Sequence, residues 1–182
     1  MAARILKLKR TTLVAKLRSR QARKAKNETK GFASPASMPV TSTLLLVDDN
    51  ADFVEFLKLL LSHEGFNVQC ALGGAQCLEI VRSEPVDLII LDVMMPKMDG
   101  LAVCKELKRI APSLPVILLT AKDDLATRSA AMTLGVSEFL AKPVNIEDLL
   151  TRVRTQIHIR QWERRVDNAF STAERETKIP PR

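Results

Sequence analysis

Val86-Asp87-Leu88-Ile89-Ile90-Leu91-Asp92 is the stretch on which the fold turns. It reads as a strand over Val86–Leu91, apolar almost throughout, that delivers an aspartate at its end. A strand with water on one face alternates apolar and polar side chains. A strand covered on both faces is a continuous apolar run, the mark of a parallel sheet between two layers of helices. Outward from it the pattern repeats. Thr43–Val47 ends in Asp48-Asp49, Pro115–Leu119 ends in Thr120, and Ser137–Ala141 ends in Lys142, while Phe66–Cys70 is a further short strand.

Helical spacing fills the intervals. Phe53, Phe56, Leu57, Leu60 and Leu61 recur at helical period over Ala51–His63, and Gly65 stops that helix. Gly73–Ser83, Leu101–Ile110 and Asp123–Leu134 read as three more helices, and Ile146 opens a long closing one. Five strands alternating with five helices give an α/β chain, and right-handed crossovers make a doubly wound open sheet the simplest architecture. In such sheets function gathers at the carboxyl ends of the strands.

Those ends bring together Asp48, Asp49, Asp92, Thr120 and Lys142. Clustered carboxylates repel, and a divalent cation relieves the conflict. Hard oxygen ligands favour Mg²⁺, which keeps positions open for water and phosphate oxygens. A cation, an ammonium and an in-line carboxylate suit phosphoryl transfer to that carboxylate. Taken alone, Asp48-Asp49 reads equally well as the cap of the following helix.

The ordered set Leu46-Val47-Asp48-Asp49-Asn50, Leu91-Asp92-Val93-Met94-Met95-Pro96-Lys97-Met98-Asp99-Gly100, Leu119-Thr120-Ala121 and Phe139-Leu140-Ala141-Lys142-Pro143 resembles the receiver domain of two-component response regulators. The resemblance spans Thr43 to about Arg154. It implies a flavodoxin-like five-stranded parallel sheet with helices on both faces, here with a long C-terminal helix. It also implies Asp92 as phosphoacceptor, with Mg²⁺ bound by Asp49 directly, by Asp48 through water, by Asp92 and by the backbone carbonyl of Met94. Thr120 would hydrogen-bond a phosphoryl oxygen and Lys142 would pair with the phosphoryl group. Phe139, by default a core residue, takes the position of the family's aromatic switch, which swings inward as Thr120 moves. Pro96 and Gly100 would shape the loop and helix start after Asp92, Ala121 would leave room beside it, and Lys142-Pro143 would be a cis peptide aiming the ammonium at the site. The implied partners are a sensor histidine kinase or phosphotransfer protein and a downstream protein target, in the cytoplasm, for a signalling module rather than an enzyme.

Charge divides the chain in three. Residues 1–42 carry 11 Lys+Arg against 1 acid, residues 43–150 carry 9 against 16, and residues 151–182 carry 8 against 4. The expected division is a basic extension over 1–42, a receiver domain over 43–154 and a helical extension with a frayed tail over 155–182. Low apolar content leaves the first segment unable to offset its ordering entropy. It reads as a basic tail for an acidic partner or nucleic acid, a targeting peptide, or the product of a start preceding the true one at Met38; the last is favoured, with residues 1–37 dispensable. Nucleic-acid association through this arm is the alternative function. The lack of a recognisable nucleic-acid-binding fold and of arm aromatics beyond Phe32 counts against it. A metal-dependent hydrolase with an aspartyl intermediate is discounted, because Met94 stands where a second carboxylate would serve as acid/base.

No apolar run approaches the roughly 20 residues of a membrane span. Cys70, Cys77 and Cys104 lack metal-ligand spacing and read as small core hydrophobes, while His63 and His158 read as surface or packing residues. The 34 residues after Asp148 are too few for a winged-helix or cyclase output domain. Leu149, Leu150, Val153 and Ile157 would cover the receiver. Ile159, Trp162, Val166 and Ala169/Phe170 then follow at spacings of three and four, either the start of a coiled-coil seam between two copies or an amphipathic tail folded back on the body.

Overall fold

The computed structural model of the chain describes residues 42–121 and 125–176. The readings made for the first 41 residues, including the basic arm and the start at Met38, lie outside them.

The order of elements is β1 (Thr43–Val47), α1 (Ala51–His63), β2 (Asn67–Ala71), α2 (Gly74–Ser83), β3 (Leu88–Asp92), α3 (Gly100–Ile110), β4 (Val116–Ala121), α4 (Leu125–Thr133), β5 (Glu138–Lys142) and α5 (Ile146–Glu176). The sheet is wholly parallel in the order β2-β1-β3-β4-β5, with Leu46 opposite Ile90, Leu91 opposite Leu118 and Leu118 opposite Phe139. Burial on both faces is visible residue by residue. Leu45, Val47, Ile89, Leu91 and Leu118 face the core beneath α2 and α3, whereas Leu44, Leu46, Leu88, Ile90, Ile117 and Leu119 face the core beneath α1 and α5. A period of two with apolar residues in both phases is why the central strands read as unbroken runs. The edge strands β2 and β5 are only partly buried.

Several ends fall one or two residues from the expected ones. The strand read as Phe66–Cys70 is Asn67–Ala71, because Phe66 is taken by the end of α1. Its N–H bonds Leu61 O while the N–H of Gly65 bonds Ser62 O, the paired closure that needs a left-handed residue, and Gly65 supplies it with φ 93°. The strand read from Val86 begins at Leu88 and includes Asp92 itself. The helix after Asp48-Asp49 is capped by Asn50, whose side chain accepts from Phe53 N at 3.1 Å. The capping alternative for the aspartates therefore fails, which leaves their oxygens for other partners.

α5 runs unbroken through the expected boundary at residue 154. Leu149, Leu150, Val153 and Ile157 are buried on the body, as expected. Cys77 and Cys104 are buried; burial, and for Cys77 the neighbouring Cys104, pushes both thiols up to about 12, which makes them inert packing residues. Cys70 is only half-buried. His63 and His158 are exposed. Among the described residues, no helix is long and apolar enough to cross a membrane.

Candidate phosphoryl and metal site

Parallel register brings the strand ends to one edge. Asp48 follows β1, Asp92 closes β3, Thr120 lies near the end of β4 and Lys142 closes β5, with Asp92 opposite Leu119 and Thr120 opposite Ala141. Asp48 and Asp92 are each 3% exposed and Thr120 is 1% exposed, while Asp49 is exposed.

Lys142 joins the carboxylates. Its Nζ lies 2.9 Å from Asp48 Oδ2 and 2.8 Å from Asp92 Oδ1. The first contact is a hydrogen bond; the second is an ion pair without hydrogen-bond alignment, so the buried Asp92 Oδ1 keeps unused accepting capacity. Asp48 Oδ1 accepts from Asn50 N at 2.9 Å, so both oxygens of Asp48 are engaged by the protein. Burial pushes the Asp92 carboxyl above the usual range, Lys142 pulls it down, the Asp48 charge raises it and a Met94 backbone hydrogen bond lowers it, with a net upward result. For Lys142, burial works against the charge, but Asp92 and Asp48 together outweigh it and hold the ammonium above its ordinary value.

Oxygens of Asp48, Asp49 and Asp92 all come within 4.8 Å of one another. An oxygen-only set, two residues buried and one open to solvent, can hold a hard divalent cation. The unused capacity of Asp92 Oδ1 and the free reach of Asp49 fit such an ion.

The loop after Asp92 is held tightly. Gly100 N donates to Val93 O at 2.9 Å, and a Cβ on Gly100 would lie 2.4 Å from Asp92 O and 2.8 Å from Val93 Cα. Only glycine lets α3 start this close to the strand end. Asp99 caps α3 by accepting from Ala102 N at 2.7 Å. Between them, Met98 N donates to Pro96 O across Lys97, whose φ is 67°, a γ-turn no residue there advertised in sequence. The Met94 side chain is exposed. Lys142-Pro143 is a cis peptide, as expected. Phe139 is part-buried and packs with the core residues under α2 and α3. The Ala121 side chain lies outside the described ones.

Two participants were not read from sequence as such. Phe53, taken as one apolar position of α1, sets its ring 5.3 Å from Lys142 Nζ. Asn50, three residues before Phe53 at a helix start, had the residue type of a cap and could have been assigned as one.

Residues 44–154 match the model of the response regulator receiver domain. The response regulator MprA of Mycolicibacterium vanbaalenii is 40% identical over 117 residues, which are 64% of this chain and 50% of that protein. The chain thus spans about half the length of the curated relatives it matches. A response regulator receiver domain protein from Clostridium thermocellum superposes with a TM-score of 0.63 at 31% identity, covering 66% of this chain and 98% of that one. The signal receiver domain of an HD domain-containing protein from Pseudomonas fluorescens gives 0.67 at 29% identity, covering 73% and 98%. Strand-end chemistry, sheet order and these likenesses agree, and the chain belongs to the response regulator receiver domain family of two-component systems.

Proposed function

We propose that the chain is a phosphorylation-controlled receiver that accepts a phosphoryl group on Asp92. The observation that carries the reading is Asp92 itself: a buried carboxylate at the end of β3, beside Asp48 and Asp49, with its Oδ1 in ionic contact with Lys142. A carboxylate oxygen attacks phosphorus, a new O–P bond forms, and the donor's bond to phosphorus breaks with its electron pair leaving on the donor. Asp49, Asp92 and the Met94 carbonyl would hold Mg²⁺ directly. Asp48, its oxygens already engaged by Asn50 N and Lys142, suits contact through water. The ion would neutralise phosphoryl oxygens. Lys142 would transfer its ammonium from Asp92 to the incoming phosphoryl group, Thr120 would donate to a phosphoryl oxygen, and Phe139 would follow Thr120 inward.

The donor is a sensor histidine kinase or a phosphotransfer protein. The output is protein contact or onward relay in the cytoplasm, without an enzymatic turnover of the chain's own. The division into a basic extension (1–42), receiver (43–154) and helical extension (155–182) belongs to the same reading.

Incubation of the full chain with Mg²⁺ and acetyl phosphate should add one hydroxylamine-labile phosphoryl group. Asp92→Asn should abolish it without unfolding the protein, and excess chelator should abolish it in the unaltered chain. Undiminished labelling of folded Asp92→Asn protein overturns the assignment; labelling that survives chelation removes the metal from it.

A further inference from the structure

α5 changes character where it passes the starting edge of the sheet. Up to Ile157 it buries apolar residues inward and presents Thr151 and Thr155 outward. Beyond Ile157 the arrangement inverts. The inward contacts become polar: Gln161 Nε2 donates to Ser42 Oγ at 3.2 Å, just before β1, and Arg164 pairs with Asp87, just before β3. Asp87 in turn accepts from Thr43 N at 2.8 Å, so the helix is tied to a fixed point of the sheet. At about 100° per residue, Ile159, Trp162 and Val166 fall on the side opposite Ile157. Ile159 is 47% exposed and Trp162 is 66% exposed. The body therefore holds this part of the helix by polar groups and leaves Ile159 and Trp162 outward, with Val166 half-buried at the end of the stripe. An unpartnered stripe of this kind marks an interaction surface.

We infer that this stripe is the seam of a parallel two-fold pairing between two copies of the chain. Ile159, Trp162 and Val166 are spaced three and then four apart, the alternation of a coiled-coil seam. Taking Ile159 and Val166 as the first position of successive heptads makes those positions β-branched, as in two-stranded parallel coils, with Trp162 in the place such coils give to Leu. The flanks agree. In a parallel pair His158 faces Glu163 of the second copy, a base against an acid, twice by symmetry. An antiparallel pair sets like flanks together, Glu163 on the acidic side and His158 with Arg165 on the basic side.

The test uses the unphosphorylated full chain, so its failure leaves the receiver reading standing. Sedimentation over micromolar to hundreds of micromolar concentrations should show a reversible dimer. Trp162→Glu should weaken it at least tenfold with unchanged far-ultraviolet circular dichroism. In a Cys70→Ser background, Ile159→Cys should give a disulfide-linked dimer on mild oxidation, since Cys77 and Cys104 are buried and unreactive. A monomer throughout the range overturns the inference; if acrylamide also fails to quench Trp162, a segment of the same chain covers the stripe. A dimer indifferent to Trp162→Glu overturns it too, by placing the interface elsewhere. A dimer that Trp162→Glu weakens but Ile159→Cys does not cross-link overturns the parallel arrangement.

Discussion

Lys142→Met removes a cation shared by two buried carboxylates while keeping most of the side-chain stem, and its cost can be bounded from the geometry. The side chains of Asp48 and Asp92 are 5% and 4% exposed, and Lys142 Nζ lies within 2.9 Å of both. Removing one member of a buried pair costs about 3–5 kcal/mol, because the charge left behind is uncompensated. Lys142 is itself 35% exposed, so water recovers part of that loss, and about 2–3 kcal/mol is expected near neutral pH with chelator present. The loss should shrink on acidification. Asp92 already titrates above its ordinary value, and without Lys142 it rises further, so protonation removes the orphaned charge well before general acid unfolding. Added Mg²⁺ should also stabilise the variant more than the unaltered chain, since no ammonium competes for the same oxygens. A ligand at 100 times its Kd contributes about 2.7 kcal/mol when it binds only the folded state. Urea unfolding followed by circular dichroism, from about pH 7 down to about pH 4, measures each quantity. A loss below about 0.5 kcal/mol, or one that stays constant across that range, would refute the picture of Lys142 as the compensating charge for both carboxylates among the described residues.

Two further outcomes follow from the same edge. Without divalent cations, Asp92→Asn should raise stability at neutral pH: a raised carboxyl pKa means the folded state holds its proton more tightly, so stability falls as pH climbs from the ordinary Asp value of 3.8 through the folded one, and the amide escapes that loss; urea midpoints that fail to separate above this window contradict it. Gly100→Ala forces a methyl to within 2.4 Å of Asp92 O and should cost about 1–3 kcal/mol as overpacking, with slowed acetyl-phosphate labelling as well, whereas a change under about 0.5 kcal/mol would mean the loop yields freely.

The sequence by itself determined the layers and the edge. Leu88–Leu91 and Leu44–Val47 are apolar in both phases of a two-residue period, and only a sheet covered on both faces accommodates that. Because each strand's last residue is fixed by where its run stops, Asp48, Asp92, Thr120 and Lys142 had to share one edge once the strands were parallel. What only the tertiary structure decided is how atoms are apportioned there. Asp48 and Lys142 are 94 residues apart, and no spacing rule says that one Asp48 oxygen goes to Asn50 N and the other to Lys142, leaving Asp92 Oδ1 without a hydrogen bond. The ring of Phe53 beside Lys142, the γ-turn at Lys97 and the tie of Arg164 to Asp87 are likewise set by packing across elements. The side chains of Ala169 and Phe170, the far end of the expected C-terminal seam, lie outside the described ones, but its near end shows the same division. Periodicity revealed that Ile159, Trp162 and Val166 share a stripe; whether it faced the body or solvent depended on the polar groups at Ser42 and Asp87, which claim the opposite side of the helix. Local pattern fixes which residues lie together because chain geometry is periodic, whereas partners distant in sequence are chosen by the packing of the whole chain.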